Sequence, residues 1–129
     1  MYLFKDEFRT GIESIDEEHK RLFEITDKAY ETLMDDFIPD KYDYIVEILN
    51  ELKEYSVTHF QHEEEYMMSI RYKKLFSQKA EHEEFMEKIS AYDLSKLDEN
   101  QKEAILGILD FLNDWLIHHI LESDILIGK

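Results

Sequence analysis

The chain has 129 residues, enough for one domain with a buried core, and we expect a single domain over residues 1–129. Its net charge of −16 argues against nucleic acid as a partner, because nucleic acid is bound by clustered lysine and arginine. Three glycines, one proline and no cysteine favour long helices and exclude disulfides and thiolate metal sites.

Apolar residues that recur every three or four positions predict four helices after a lead of about 15 residues. The first helix is expected from about Asp16, a plausible N-cap, to about Asp36. Pro39 lies in the link between the first and second predicted helices. The second helix, which has the longest and clearest apolar stripe, is expected from about Lys41 to Ile70.

The third predicted helix begins near Tyr72 or Lys74 and ends near Tyr92. After a polar loop at 93–100, the fourth is expected from about Glu99 to Leu121. Short connections force neighbouring helices to run in opposite directions. The sequence therefore predicts an all-α fold, an antiparallel up-down-up-down four-helix bundle with an N-terminal extended lead.

Imidazole and carboxylate side chains recur at helical spacings on these four segments. Two pairs are four residues apart, which places the members of each pair one turn apart on the same helix face. His119 and Asp124 are five apart and diverge by about 140° in a regular helix, so both reach one metal only if the helix ends or bulges between them. We expect a helix end near Leu121. The candidate metal ligands are His19, His59, Glu63, Gln78, His82, His119 and Asp124.

Imidazole with carboxylate is a ligand set for a redox-active transition metal. Glu63 and Asp124 could each bridge two ions, with the imidazoles as terminal ligands. A single histidine on a helix is usually a surface or satisfied core residue, but buried histidines and acids on four helices would be costly without a metal. His62 and His118 point about 100° away from their neighbouring candidates and are left out of the set. The acidic runs Glu63-Glu-Glu and Glu81-His-Glu-Glu, apart from Glu63, are expected to face solvent.

Three ordered motifs resemble those of bacterial hemerythrins, the non-haem di-iron bundles that bind dioxygen, and the resemblance covers essentially the whole chain. The motifs are Gly11-Ile-Glu-Ser-Ile-Asp-Glu-Glu-His19-Lys-Arg-Leu, His59-Phe-Gln-His-Glu63-Glu-Glu-Tyr-Met and Trp115-Leu-Ile-His-His119-Ile-Leu-Glu-Ser-Asp124. The resemblance implies two iron ions in an oxo- or hydroxo-bridged centre.

The resemblance also implies a role for each matching residue. His19 and His59 would hold the iron that binds dioxygen, and Glu63 and Asp124 would bridge the two irons. The second iron takes three imidazoles in the family, and this chain has His82, His119 and a glutamine at those positions. The residues that match the dry dioxygen pocket of the family are Leu22, Phe60, Trp115, Leu116 and Ile120.

Gln78 is the departure from the family pattern, and several interpretations stay open. Its amide oxygen could bind the metal from the same helical position as the imidazole it replaces. A water or an open position could stand there instead, or a displaced His62 or His118 could supply the ligand. The site could also be degraded to one metal or none, because metal sites depend on complete ligand sets.

We expect a carrier that binds dioxygen reversibly, for storage, transport or scavenging, rather than an enzyme. The alternative is a di-iron enzyme acting on peroxide, dioxygen or nitric oxide, or a sensor of oxygen or iron, because Gln78 alters the ligand set. The chain has no continuous run of about 18 apolar residues and no readable secretory signal, so we expect a cytoplasmic protein without a membrane partner.

Overall fold

The computed structural model describes residues 3–92 and 102–128, and every regular element in those ranges is helical. A 3-10 turn, Asp6–Phe8, precedes α1 (Glu13–Met34), α2 (Lys41–Ser69) and α3 (Leu75–Ser90). The fourth helix, α4 (Lys102–His119), continues through a π-helical turn, Ile120–Asp124, into a last short turn, Ile125–Ile127. The expected antiparallel four-helix bundle is confirmed. The predicted loop at 93–100 and the predicted start at Glu99 lie outside the described residues.

The bundle core consists of the apolar stripes that the sequence pattern predicts. The apolar residues of each stripe recur every three or four positions, so they form one continuous helix face that is removed from water when the helices pack. Burying one such side chain contributes about 1.5–3 kcal/mol. Fully buried examples from three of the helices are Phe23, Leu33, Ile45, Leu49, Ile105 and Leu109.

Asp16 does not cap α1, because the helix begins three residues earlier, at Glu13. Its buried carboxylate accepts hydrogen bonds from the Thr10 amide at 2.7 Å, the Thr10 hydroxyl at 2.8 Å and the Gly11 amide at 3.2 Å. Gly11 has a φ of 89°, which glycine adopts without steric cost. Asp16 therefore ties the N-terminal lead to the first turn of α1.

The predicted helix end near Leu121 is wrong, because the helix continues to Ile127. Between His119 and Ile125 the backbone widens into a π-helical turn, whose hydrogen bonds run from residue i to i+5. Residues five apart are then brought to the same side of the helix. His119 and Asp124 share a face by this widening, and the chain does not have to stop.

The helical segment Lys102–Ile127 is long and apolar enough to cross a membrane by length and composition alone, although polar residues interrupt it and no continuous run of about 18 apolar residues was expected. Core helices of bundles meet the same criterion. Here the segment contributes Ile105, Leu109 and Leu112 to the buried core.

Candidate metal centre

Two groups of buried side chains meet inside the bundle, and both include Glu63 and Asp124. Within each group, one potential ligand atom from every residue lies within 4.8 Å of the others. Six of the seven predicted ligands are thus brought together. The first group adds His19 and His59 from α1 and α2, and the second adds His82 and His119 from α3 and α4.

Each carboxylate presents one oxygen to each group. Glu63 Oε2 lies 3.3 Å from His19 Nε2 and 3.1 Å from His59 Nε2. Glu63 Oε1 lies 3.0 Å from His82 Nε2 and 3.6 Å from His119 Nε2. Asp124 follows the same rule, with Oδ2 at 3.0 Å from His19 Nε2 and Oδ1 at 3.1 Å from His119 Nε2. With this arrangement, each carboxylate could give one oxygen to each of two adjacent metal ions.

The positions of these nitrogen and oxygen atoms are better explained by metal coordination than by hydrogen bonding. Both Asp124 oxygens and His59 Nε2 have short contacts yet lack a hydrogen-bond partner among the described residues. His82 Nε2 lies 3.1 Å from His119 Nε2 and also 3.0 Å from Glu63 Oε1, although one imidazole nitrogen presents only one proton or one lone pair. Adjacent ligands of an octahedral ion at 2.0–2.2 Å lie roughly 3 Å apart. The set of imidazoles and carboxylates suits iron.

Glutamates on the opposite side of three imidazoles fix the orientation of the rings. Their oxygens approach the outer nitrogen, Nδ1, and such carboxylate partners orient metal-binding histidines. The pairs are His59 with Glu18 at 3.1 Å, His82 with Glu64 at 2.8 Å, and His119 with Glu81 at 3.1 Å.

None of these three glutamates was predicted from the sequence: Glu64 and Glu81 were expected to face solvent, and Glu18 was given no role. One signal could have found them. Glu18, Glu64 and Glu81 each directly adjoin a predicted ligand along the chain, so each lies beside the site on the helix edge that faces a neighbouring helix.

Aromatic rings stack on the faces of two of the imidazoles. Phe60 stacks on His82 with a centroid distance of 4.1 Å and an interplanar angle of 9°. Trp115 stacks on His119 at 4.5 Å and 15°. These contacts restrict ring rotation, so the Nε2 atoms are aimed before any ion binds.

Gln78 lies one turn before His82 on α3 and is 2% exposed. Its amide oxygen and nitrogen have no hydrogen-bond partner among the described residues. A buried amide without a partner is costly, so Gln78 is suited to meet a ligand or an ion. His62 and His118 are exposed and contact Glu18 and the Asp114 carbonyl instead, so neither replaces the missing imidazole here.

A small cavity of about 10 Å³ adjoins the site, and four of the five predicted pocket residues line it. Those four are Leu22, Phe60, Trp115 and Leu116. The fifth, Ile120, is fully buried but is not among the lining residues.

Two hydroxyls in the cavity wall are occupied, since Thr26 Oγ1 donates to the Leu22 carbonyl and Ser56 Oγ to the Leu52 carbonyl. The cavity volume is near the lower limit for one water molecule, and a water needs polar partners. The cavity is therefore suited to stay dry.

The pKa values describe the cluster without a metal ion. Burial alone would lower the pKa of His59, but the charge of Glu63 and the contact with Glu18 raise it to about 9. The pKa of His119 is raised well above 6.5, against the effect of burial, by Asp124, Glu63 and Glu81. Burial would raise the pKa of Glu63, yet the charge of His59 holds it well below its ordinary value. A cation that binds here must displace protons from the imidazoles.

Comparisons with known proteins agree with this geometry. A family model described as the hemerythrin HHE cation binding domain matches residues 10–128. The chain is 48% identical over 124 residues to a bacteriohemerythrin of Clostridium acetobutylicum, covering 96% of both proteins. It is 30% identical over 122 residues to a bacteriohemerythrin of Methylococcus capsulatus, covering 95% of this chain and 89% of that protein. The crystal structure of a wild-type hemerythrin superimposes with a TM-score of 0.79 at 28% identity, covering 99% of this chain and 95% of that one.

Glu64→Gln should weaken metal binding about 10-fold to 100-fold, because it removes the charge that orients and activates His82. The measurement is competition for iron(II) against a chelator, with the ions counted per chain. Glu65→Gln, at the exposed neighbouring position, is the matched control. Equal affinities in the two variants would contradict the role of Glu64.

The metal-free protein should lose stability as pH rises from 6.5 to about 9. The pKa of His59 is 6.5 in its ordinary state and about 9 in the fold, so its protonation stabilises the fold at low pH and is lost across that window. The slope is about 1 kcal/mol per pH unit for one group. Urea denaturation checks it, and an unfolding free energy that does not change with pH in the metal-free protein would contradict it. Iron-loaded protein should lack the slope.

Proposed function

Because this chain belongs to the hemerythrin family, it is a non-haem di-iron protein that binds dioxygen, and we propose that the two groups around Glu63 and Asp124 hold its two iron ions. The observation that carries the proposal is the division of oxygens, since each buried carboxylate gives one oxygen to each imidazole group. When bound, the iron pair supplies the two electrons and the coordination position that dioxygen requires.

We assign the ligands as follows. His19 and His59 hold the iron that takes dioxygen, and His82 and His119 hold the other iron. Gln78 stands at the remaining ligand position of that second iron. This division follows the roles that the hemerythrin family pattern implies. The cavity itself borders both imidazole groups, because the ring of Phe60 in its wall lies 5.6 Å from that of His59 and 4.1 Å from that of His82.

The protein residues contain the reaction and take no part in a chemical step. Glu63 and Asp124 compensate the positive charge of the metal pair inside a region of low dielectric. Leu116, Trp115 and Phe60 keep water and its protons away from the dioxygen position. Glu18 and Glu81 hold the rings of His59 and His119, so the site needs little rearrangement.

We propose that the protein is a reversible carrier for storage, transport or scavenging, and that it is not an enzyme. A small, mostly apolar cavity beside the dioxygen position favours retention over turnover. The expectations of one domain over residues 1–129, a cytoplasmic location, and no nucleic-acid or membrane partner stay predictions. The alternative, a di-iron enzyme acting on peroxide, dioxygen or nitric oxide or a sensor, would rest on Gln78.

Anaerobic iron loading followed by cycles of air and argon tests the proposal. We expect two irons per chain and a visible absorption band that appears in air and disappears under argon. Two irons that oxidise without a persistent band would contradict reversible binding. Steady-state consumption of peroxide that falls in Gln78→His would instead favour the enzyme.

Leu116→Ala should speed the spontaneous oxidation of the oxygenated protein, because it opens the dry cavity to water. We expect a roughly tenfold faster decay, equivalent to about 1.4 kcal/mol of barrier. The decay of the visible band measures it. Leu121→Ala is the matched control, since Leu121 is exposed on the same helical segment. Unchanged decay in Leu116→Ala would reject the containment role of the cavity.

A further inference from the structure

We propose that the second iron position, beside His82 and His119, takes a small nitrogen- or oxygen-donor ligand from solvent through a polar cleft at Gln78. The inference rests on the proposed function and adds a second binding position to it. That position differs from the dioxygen position in size, polarity and route of access.

A cleft of about 260 Å³ lies between α3 and the π-helical turn. Its wall includes Tyr72, Ser77, Gln78, Glu81, Glu122 and Ser123. One water occupies about 30 Å³ in the liquid, so the cleft has room for several waters or for a small heterocycle. The apolar cavity near the dioxygen position, at about 10 Å³, has no such room.

Gln78 lines this cleft with unused hydrogen-bonding capacity. Its side chain is almost wholly buried, and neither its amide oxygen nor its amide nitrogen has a partner among the described residues. A buried amide left unpaired is unfavourable, because it has lost its hydrogen bonds to water without gaining others. A ligand at the inner end of the cleft would meet both a donor and an acceptor there.

Glu81 connects the wall of the cleft to the proposed metal ligands. Its Oε2 lies 3.1 Å from His119 Nδ1, and its Oε1 accepts a hydrogen bond of 3.2 Å from the Ser123 hydroxyl. Ser123 belongs to the same π-helical turn that supplies Asp124. The side chain of Glu81 therefore lies between the cleft and the outer, Nδ1 side of the His119 ring.

A glutamine also leaves the second iron more accessible than an imidazole would. Neutral amide oxygen is a weaker donor than imidazole nitrogen toward such metals, so an incoming nitrogen donor competes well with it. Gln78 and His82 are four residues apart on one face of α3, so both address the same region. Imidazole is a suitable probe, because it replaces the side chain that the chain lacks and is too large for the apolar cavity.

The experiment is calorimetric titration of the iron-loaded protein with imidazole under argon, with iron counted per chain. We expect one imidazole per chain, and binding at least tenfold weaker in Gln78→His, because a tethered imidazole then occupies the position. Ser77→Trp should also weaken binding at least tenfold by filling the cleft. Ser90→Trp, at the exposed end of the same helix, is the control and should bind normally.

The inference would be overturned if Gln78→His and Ser77→Trp bound imidazole as tightly as the unmodified protein does. It would also be overturned if unmodified protein that holds two irons did not bind imidazole. Neither outcome would affect the proposed function, which the air and argon cycles measure separately. Fewer than two irons per chain would overturn both.

Discussion

The structure depends on two carboxylates, Glu63 and Asp124, that are fully buried inside a helical bundle. Removing such charges from water costs several kcal/mol each unless opposite charge and hydrogen bonds compensate them. Four imidazoles surround the pair, and they can compensate it with protons or by sharing metal ions. The same atoms therefore set the pH response of the metal-free protein and the ligand geometry of the loaded one. The helices must keep their register, because each of them supplies one imidazole.

The sequence predicts the bundle well because the information lies in local periodicity. Apolar residues at helical spacing define the core, and the pairs at i and i+4 place His59 with Glu63 and Gln78 with His82. Spacing also indicated a distortion between His119 and Asp124, but it could not distinguish a helix end from a π-helical turn, since both satisfy the geometry. The roles of Asp16 and of the glutamates Glu18, Glu64 and Glu81 were not predicted, for another reason. Their roles depend on which side chain of a neighbouring segment lies opposite, and single-chain periodicity does not contain that information.

The two sides of the centre have different chemistry. Toward Leu116 and Trp115 the wall is mostly apolar, and the nearby hydroxyls donate their hydrogen bonds to backbone carbonyls. The space there is barely large enough for a diatomic molecule. Toward Gln78 the wall is polar and the cleft is about 260 Å³. We propose that the apolar side retains dioxygen and that the polar side admits ligands that can donate or accept hydrogen bonds. Gln78 lies on the polar side, and we infer that it changes the chemistry of the second iron position while the helical framework stays the same.

The central claim is that Glu63 and Asp124 bridge two iron ions. Anomalous diffraction at the iron absorption edge, from crystals of the iron-loaded protein, tests it directly. We expect two peaks less than about 4 Å apart, each within coordination distance of one oxygen of both carboxylates. His19 and His59 should flank one peak, and His82 and His119 the other. A single peak, or two peaks that do not share Glu63 and Asp124, would contradict the account.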